Sequence, residues 1–171
     1  MTKYRFPRAA AGSEMPIAIA VADQRWRRLR GLPGKLRRAF LTSLPQRLAT
    51  QEVSLLLTDD AALQALNKSW RRKNKPTNVL SFPATSPPAP KGAPKLLGDI
   101  AISYDSVKRE AASAGVSVTD HTVHLLVHGL LHLAGHDHED DAQALMMERK
   151  EIRILAKLGI ANPYVVKEPN E

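Results

Sequence analysis

The sequence contains no cysteine, which removes thiolate metal sites, thiol nucleophiles, disulfides and redox motifs together and fits a reducing compartment. Aromatic residues are scarce too. The 2 Trp, 3 Tyr and 3 Phe form no stacking motif of the ribonucleoprotein type, so any contact with RNA would rest on charge more than on base stacking. No apolar run nears the ~18 residues of a membrane span. The stretch Ile17–Ala22 is too short for a secretory signal core and is followed by Asp23, which points to a cytoplasmic protein. Internal repeats are lacking as well. What remains is an ordinary globular composition, 43% hydrophobic and 25% charged over 171 residues. A domain of this size buries roughly 68–70% of its unfolded surface. It needs no metal or disulfide merely to stay folded, so a metal site here would serve function.

The formal charge of +8 is unevenly placed. Positions 1–50 hold 11 basic and 2 acidic residues, a local charge of +9, and the rest of the chain sums to −1. A polyanionic partner, most often nucleic acid, and a merely solvated surface both accommodate such a distribution.

Periodicity predicts a flexible arm over 1–15, a single domain over 16–165 and a tail over 166–171. Within the domain, strands are expected at 16–22, 53–58, 78–82 and 97–103. A basic helix with a break at Gly31-Leu-Pro-Gly34 follows the first strand, and Asp59-Asp60 caps a helix from Ala61 to about Trp70. The prolines of 83–94 form a stiff linker. Helices are further expected from Asp105 to Ala114, from a cap at Thr119 or Asp120 to Ala134, and from about Glu139 to Leu158. The resulting class is α+β: a small mixed four-stranded sheet packed with five to six helices.

All 6 histidines fall between His121 and His138. On a helix, His128 and His132 project ~40° apart, so both imidazoles reach one ion. The spacing His128-x3-His132-x2-Gly135-x2-His138 reproduces the long zincin signature, with Gly135 turning the chain so that His138 becomes the third ligand. His136 falls two positions too early. Three imidazoles leave a fourth tetrahedral position open, the pattern of a catalytic zinc site. Yet the glutamate base of a zincin protease is replaced by Gly129, which argues against proteolysis. Either a substrate or backbone comes close at Gly129, or the helix packs tightly on a sheet there. His124 is either a support for a ligand or a core residue, and His121 is expected to be exposed. Asp137 is expected to cap the last helix rather than orient an imidazole, and Asp140 and Asp141 to be charges at its N-terminus. Arg71, Arg72, Lys73 and Lys75 crowd one loop, where they can contact phosphates or simply be solvated.

At His128-Gly-Leu-Leu-His-Leu-Ala-Gly-His-Asp-His138 the sequence strongly resembles the YbeY family of bacterial endoribonucleases, whose signature is H-G-x-L-H-L-x-G-[YH]-D-H. The likeness extends to Lys75-Pro-Thr-Asn-Val-Leu-Ser-Phe-Pro83, Leu97-Gly-Asp-Ile-Ala-Ile-Ser103 and the ending Pro163-Tyr164, covering roughly 50–165. The resemblance implies a zinc-dependent, single-strand-specific endoribonuclease with one Zn2+ per chain, acting on rRNA at the 3′ end of the small ribosomal subunit and in ribosome quality control. It implies that His128, His132 and His138 hold the metal. Arg71 matches the family's functional arginine five residues before the proline of the Lys-Pro-Thr loop, which implies a catalytic or substrate-binding role; Arg72, Lys73 and Lys75 match less tightly. Ribosomal proteins or assembly GTPases are the implied partners; neither membrane nor DNA is expected. His136 stands where the family commonly has tyrosine. The nucleophile stays open between metal-bound water and the ribose 2′-OH. Two other readings share these residues: a non-catalytic ribosome-assembly factor with a structural metal, and a metal-dependent hydrolase of another substrate.

Overall fold

Val53–Leu57 has little alternation of polar and apolar residues, as expected of a strand covered on both faces. In the computed structural model, which describes residues 5–9, 15–85 and 95–165, every residue of β2 (Glu52–Thr58) is buried. Strands β1 (Ile17–Val21) and β4 (Leu96–Ser103) flank it in parallel, and β3 (Val79–Pro83) pairs antiparallel with β4 at the edge, giving the order β1-β2-β4-β3. Pro83 ends this edge strand, where a sheet tolerates the missing donor. A 3-10 turn (Gln24–Arg28) and helices α1 (Leu32–Ser43), α2 (Gln46–Ala49), α3 (Asp60–Arg71), α4 (Tyr104–Ala114), α5 (Val118–Leu133) and α6 (Asp141–Lys157) complete the α+β fold that the sequence predicts. Most of the proline-rich linker, most of the N-terminal arm and the whole 166–171 tail lie outside the described residues.

Alternation along the central strands sends Leu55, Leu57, Ile100 and Ile102 to one face, under Phe40 of α1 and Leu126 and Leu130 of α5. Leu56 and Ala101 face the other side, against Leu63 and Leu66 of α3. Two glycines let α5 approach the sheet so closely. A Cβ on Gly129 would meet Ser81 Oγ at 2.9 Å and Ile100 Cδ1 at 3.1 Å; one on Gly98 would meet a Leu133 methyl and the Phe82 carbonyl oxygen, both at 2.5 Å. Of the two sequence readings of Gly129, close helix-on-sheet packing is therefore the one the structure shows.

Three local expectations are corrected. The chain is interrupted at Leu29–Gly31 rather than across Gly31-Leu-Pro-Gly34, because Pro33 falls in the first turn of α1, where its missing N–H has no helical partner to lose. The cap of α5 is Ser117, whose hydroxyl accepts from Asp120 N, not Thr119 or Asp120. Asp140, not Asp137, caps α6 by accepting from Gln143 N at 2.8 Å. Residues 5–9 lie along the sheet: Arg8 Nη1 donates to Ser54 Oγ and Asp99 Oδ1, and Ala9 N to Glu52 Oε1.

Charged side chains tie the C-terminal ends of the parallel strands together. Arg25 Nη1 donates to Asp105 Oδ1 at 2.6 Å and also holds Asp23, while Asp60 accepts from Ser103, Ser106 and Arg109. Arg25 holds the Asp23 and Asp105 carboxyls below their ordinary range. At Asp60 burial pushes upward, but the bonds from Ser103, Ser106 and Arg109 outweigh it and the pKa is again lowered. These groups bind protons more weakly folded than unfolded. Their contribution to stability is fully present above about pH 4 and is lost as pH falls through the depressed folded values. Arg25→Gln should thus lower the melting temperature near neutrality, by a gap that narrows on acidification to about pH 3. A gap that stays constant with pH would contradict this account.

Candidate metal centre

Helix α5 places His128 and His132 one turn apart on a single face, with their Nε2 atoms 3.1 Å from each other. Gly135 ends the helix with φ +94, a conformation that favours glycine, while its N–H bonds to His132 O and that of His136 to Leu131 O. The chain then doubles back. His138 comes to ring-centroid distances of 4.9 Å from His132 and 5.9 Å from His128, and Asp137 Oδ1 accepts its backbone N–H at 2.7 Å. Asp137 thus fixes the turn that carries a ligand.

Ligand nitrogens of the three histidines all lie within 4.8 Å of one another. Imidazole nitrogens ~2.0–2.1 Å from a tetrahedral ion stand ~3.3 Å apart, close to the His128–His132 spacing of 3.1 Å. Burial, and then the neighbouring His128 and His138, lower the His132 pKa, which keeps that imidazole neutral and its lone pair available. The donor set fits a divalent metal.

The deepest support for this cluster was not legible as such in the sequence. Glu151 of α6 is fully buried, and its Oε1 lies 2.6 Å from His128 Nδ1. The contact turns Nε2 of His128 toward the other ligands and raises its basicity. Glu151 Oε2 meets His124 Nε2 at 3.2 Å and accepts the Tyr164 hydroxyl proton. Burial pushes the Glu151 pKa up, but hydrogen bonds from His124, His128 and Tyr164 prevail and hold it at about 2. Burial and the same carboxylate push the Tyr164 phenol up, so it remains a donor. One signal was available: Glu151 interrupts the apolar stripe Met147–Leu155 at a spacing of four. Glu151→Gln keeps the volume but loses the charge. Metal affinity should fall by about 10–100-fold, as for other groups that orient a ligand imidazole, as read by titration with a competing chelator. Wild-type affinity in the variant would refute the role.

The remaining histidines separate. His124 supports Glu151 through Nε2, and its Nδ1 is buried with no hydrogen-bond partner among the described residues. His121 is not simply exposed: its Nε2 lies 2.6 Å from Glu110 Oε2, which also accepts from Asn78 Nδ2. His136 lines the cleft but is outside the three-histidine group, and its Nε2 accepts from Lys150 Nζ at 2.9 Å.

Arg71, the last residue of α3, reaches the same cavity as the three histidines, a solvent-open cleft of about 430 Å³ walled by Asn78, Ser81 and Pro83. Arg72, Lys73 and Lys75 do not line it. Arg72 adopts φ 56 as the cap of α3 and turns the chain toward β3.

Fold and site together define an α+β protein with three imidazoles able to hold a metal, set in an open cleft that Arg71 also lines. Residues 29–159 match the sequence profile of the family described as Endoribonuclease YbeY. The protein named Endoribonuclease YbeY from Erythrobacter litoralis (strain HTCC2594) is 49% identical over 148 residues, covering 83% of this chain and 91% of its own. That of Nitrobacter hamburgensis (strain DSM 10229 / NCIMB 13809 / X14) is 44% identical over 156 residues, 88% and 82% of the two chains. A solution structure from Thermotoga maritima shares the fold at TM-score 0.57 and 24% identity, covering 83% of this chain and 88% of that one. The chain belongs to the endoribonuclease YbeY family.

Proposed function

We propose that this chain is a zinc-dependent endoribonuclease that cuts single-stranded RNA, acting in the cytoplasm on the 3′ end of small-subunit rRNA and in ribosome quality control. The observation that carries this reading is the convergence of Arg71 and the three histidines on one open cleft. A metal serving only to fix helices needs neither a facing guanidinium nor a solvent-open cavity. A hydrolase of small apolar substrates would place its ligands in an enclosed apolar pocket. Zinc, when bound, supplies Lewis acidity and water of lowered pKa.

The protein's own residues do the rest. His128 and His132 on a rigid helix, with His138 brought in by the Gly135 turn, fix where the scissile phosphate sits. Glu151 keeps His128 from rotating. Arg71, lining the same cleft, stabilises charge that grows on the phosphate oxygens. Gly129 stands where a zincin protease carries its glutamate base, which supports phosphodiester chemistry over peptide hydrolysis. Small-subunit rRNA, ribosomal proteins and assembly GTPases are the partners that follow from this reading.

The test is cleavage of a structured RNA bearing a single-stranded 3′ tail by metal-stripped protein and by the same preparation reloaded with zinc. Cutting within the tail is expected to vanish on stripping and to return on reloading. A 2′,3′-cyclic phosphate end would assign the attack to the ribose 2′-OH, and a linear end to water. Undiminished cutting by stripped protein, or none by reloaded protein even on ribosomal particles, would overturn the proposal.

A further inference from the structure

We infer that the groove between α2 and α6 is a second site for the RNA backbone, receiving the strand that runs out of the metal cleft. This inference rests on the endoribonuclease reading above. The groove encloses about 460 Å³ and is walled by Arg47 of α2 and by Lys150, Arg153 and Lys157 of α6. On α6 the three cations recur at intervals of three and four residues, so they stand on one face over about 10 Å of helix.

No acidic residue lines the groove, and among the described residues none of its four cations makes an ion pair. Elsewhere on the molecule Arg8, Arg25 and Arg109 are all matched to aspartates. Unmatched cations in a row repel one another and are stabilised by a polyanion that displaces their small counterions. The floor between them is apolar, formed in part by Leu48 and Ile154, which offers bases a surface to pack on while the phosphates face the charges.

The groove adjoins the cleft at one shared residue. His136 borders both, and Lys150 Nζ lies 2.9 Å from its Nε2. A strand leaving the metal centre past His136 meets Asp137 on the cleft side and then a second line of positive charge. This adjacency to a cleft already assigned to RNA favours RNA over an acidic protein as the occupant. It also gives a role to part of the basic N-terminal half, since Arg47 belongs to it.

The experiment measures binding of a non-cleavable 2′-O-methyl dodecauridylate to the zinc-loaded protein by fluorescence anisotropy across a salt series. Wild type is compared with the double variant Arg153→Gln/Lys157→Gln. For single strands each neutralised phosphate contributes about 0.7 to the slope of log K against log salt. The variant should bind more weakly, with a slope smaller by about 1.4. An unchanged slope and affinity in the variant, beside a wild type that binds and cuts RNA, would overturn the groove assignment alone. A wild type that neither binds nor cuts RNA would bring down the endoribonuclease reading as well. Polyglutamate that competes with the RNA at equal charge, and loses affinity in the variant, would reassign the groove to an acidic protein.

Discussion

His132→Ala should leave a folded protein that neither holds its metal nor cuts RNA. Alanine is the better helix former, and the residue replaced is only half-buried, so α5 should persist and circular dichroism should match wild type. The two remaining imidazoles cannot replace the lost one from nearby. His136 is already engaged with Lys150. The charge stabilisation that a bound metal gives a phosphoryl oxygen is worth several kcal/mol. At about 1.4 kcal/mol per factor of ten, its loss lowers the rate by about a thousandfold or more. Metal content and tail cleavage measured on identically purified proteins check this. Equal cleavage by variant and wild type would mean that the histidine centre is not the seat of the reaction.

Arg71→Ala should separate catalysis from metal binding. The side chain lines the same cleft as the histidines, and among the described residues it makes no ion pair to which its charge is already committed. Removing one donor aimed at developing oxyanion charge costs about 10²–10³ in kcat. Metal affinity should stay at the wild-type value, unlike the loss expected for His132→Ala. Arg71→Lys restores the charge but not the planar two-pronged donor, so it should recover only part of the rate. A change of less than about twofold in Arg71→Ala would remove Arg71 from the mechanism.

Much of this was readable from residues near one another in sequence. The ligand triad needs only a helix, a glycine turn and eleven residues from His128 to His138. The strand order within the chain was equally legible, because Val53–Leu57 and Ile100–Ile102 announce buried strands by composition. Contacts between distant segments were not. Glu151 reaches His128 across 23 positions and Tyr164 reaches Glu151 across 13; no local pattern encodes which helix face will meet which. Gly129 could be recognised as a position of close approach, but only the sheet beneath shows that Ser81 and Ile100 are what approach it. Arg71 and its neighbours Arg72, Lys73 and Lys75 differ little as residue types. The end of α3 and the left-handed turn at Arg72 decide which cation faces the cleft.

The compactness of that ligand segment also bears on how the chain acquires its ion. Bringing the ends of so short a stretch together costs little chain entropy, since the penalty grows with the logarithm of loop length. The β1–β2 and β2–β4 pairings, by contrast, join strands separated by whole helices and form slowly. All three imidazoles lie on α5 and the turn that follows it, so forming that one segment is enough to bring them together. An ion captured at that stage binds unfolded as well as folded chains, so it adds less to equilibrium stability than its native affinity alone implies. Glu151 holds His128 from another helix, 23 positions away, so that its hold adds to affinity only in the folded chain.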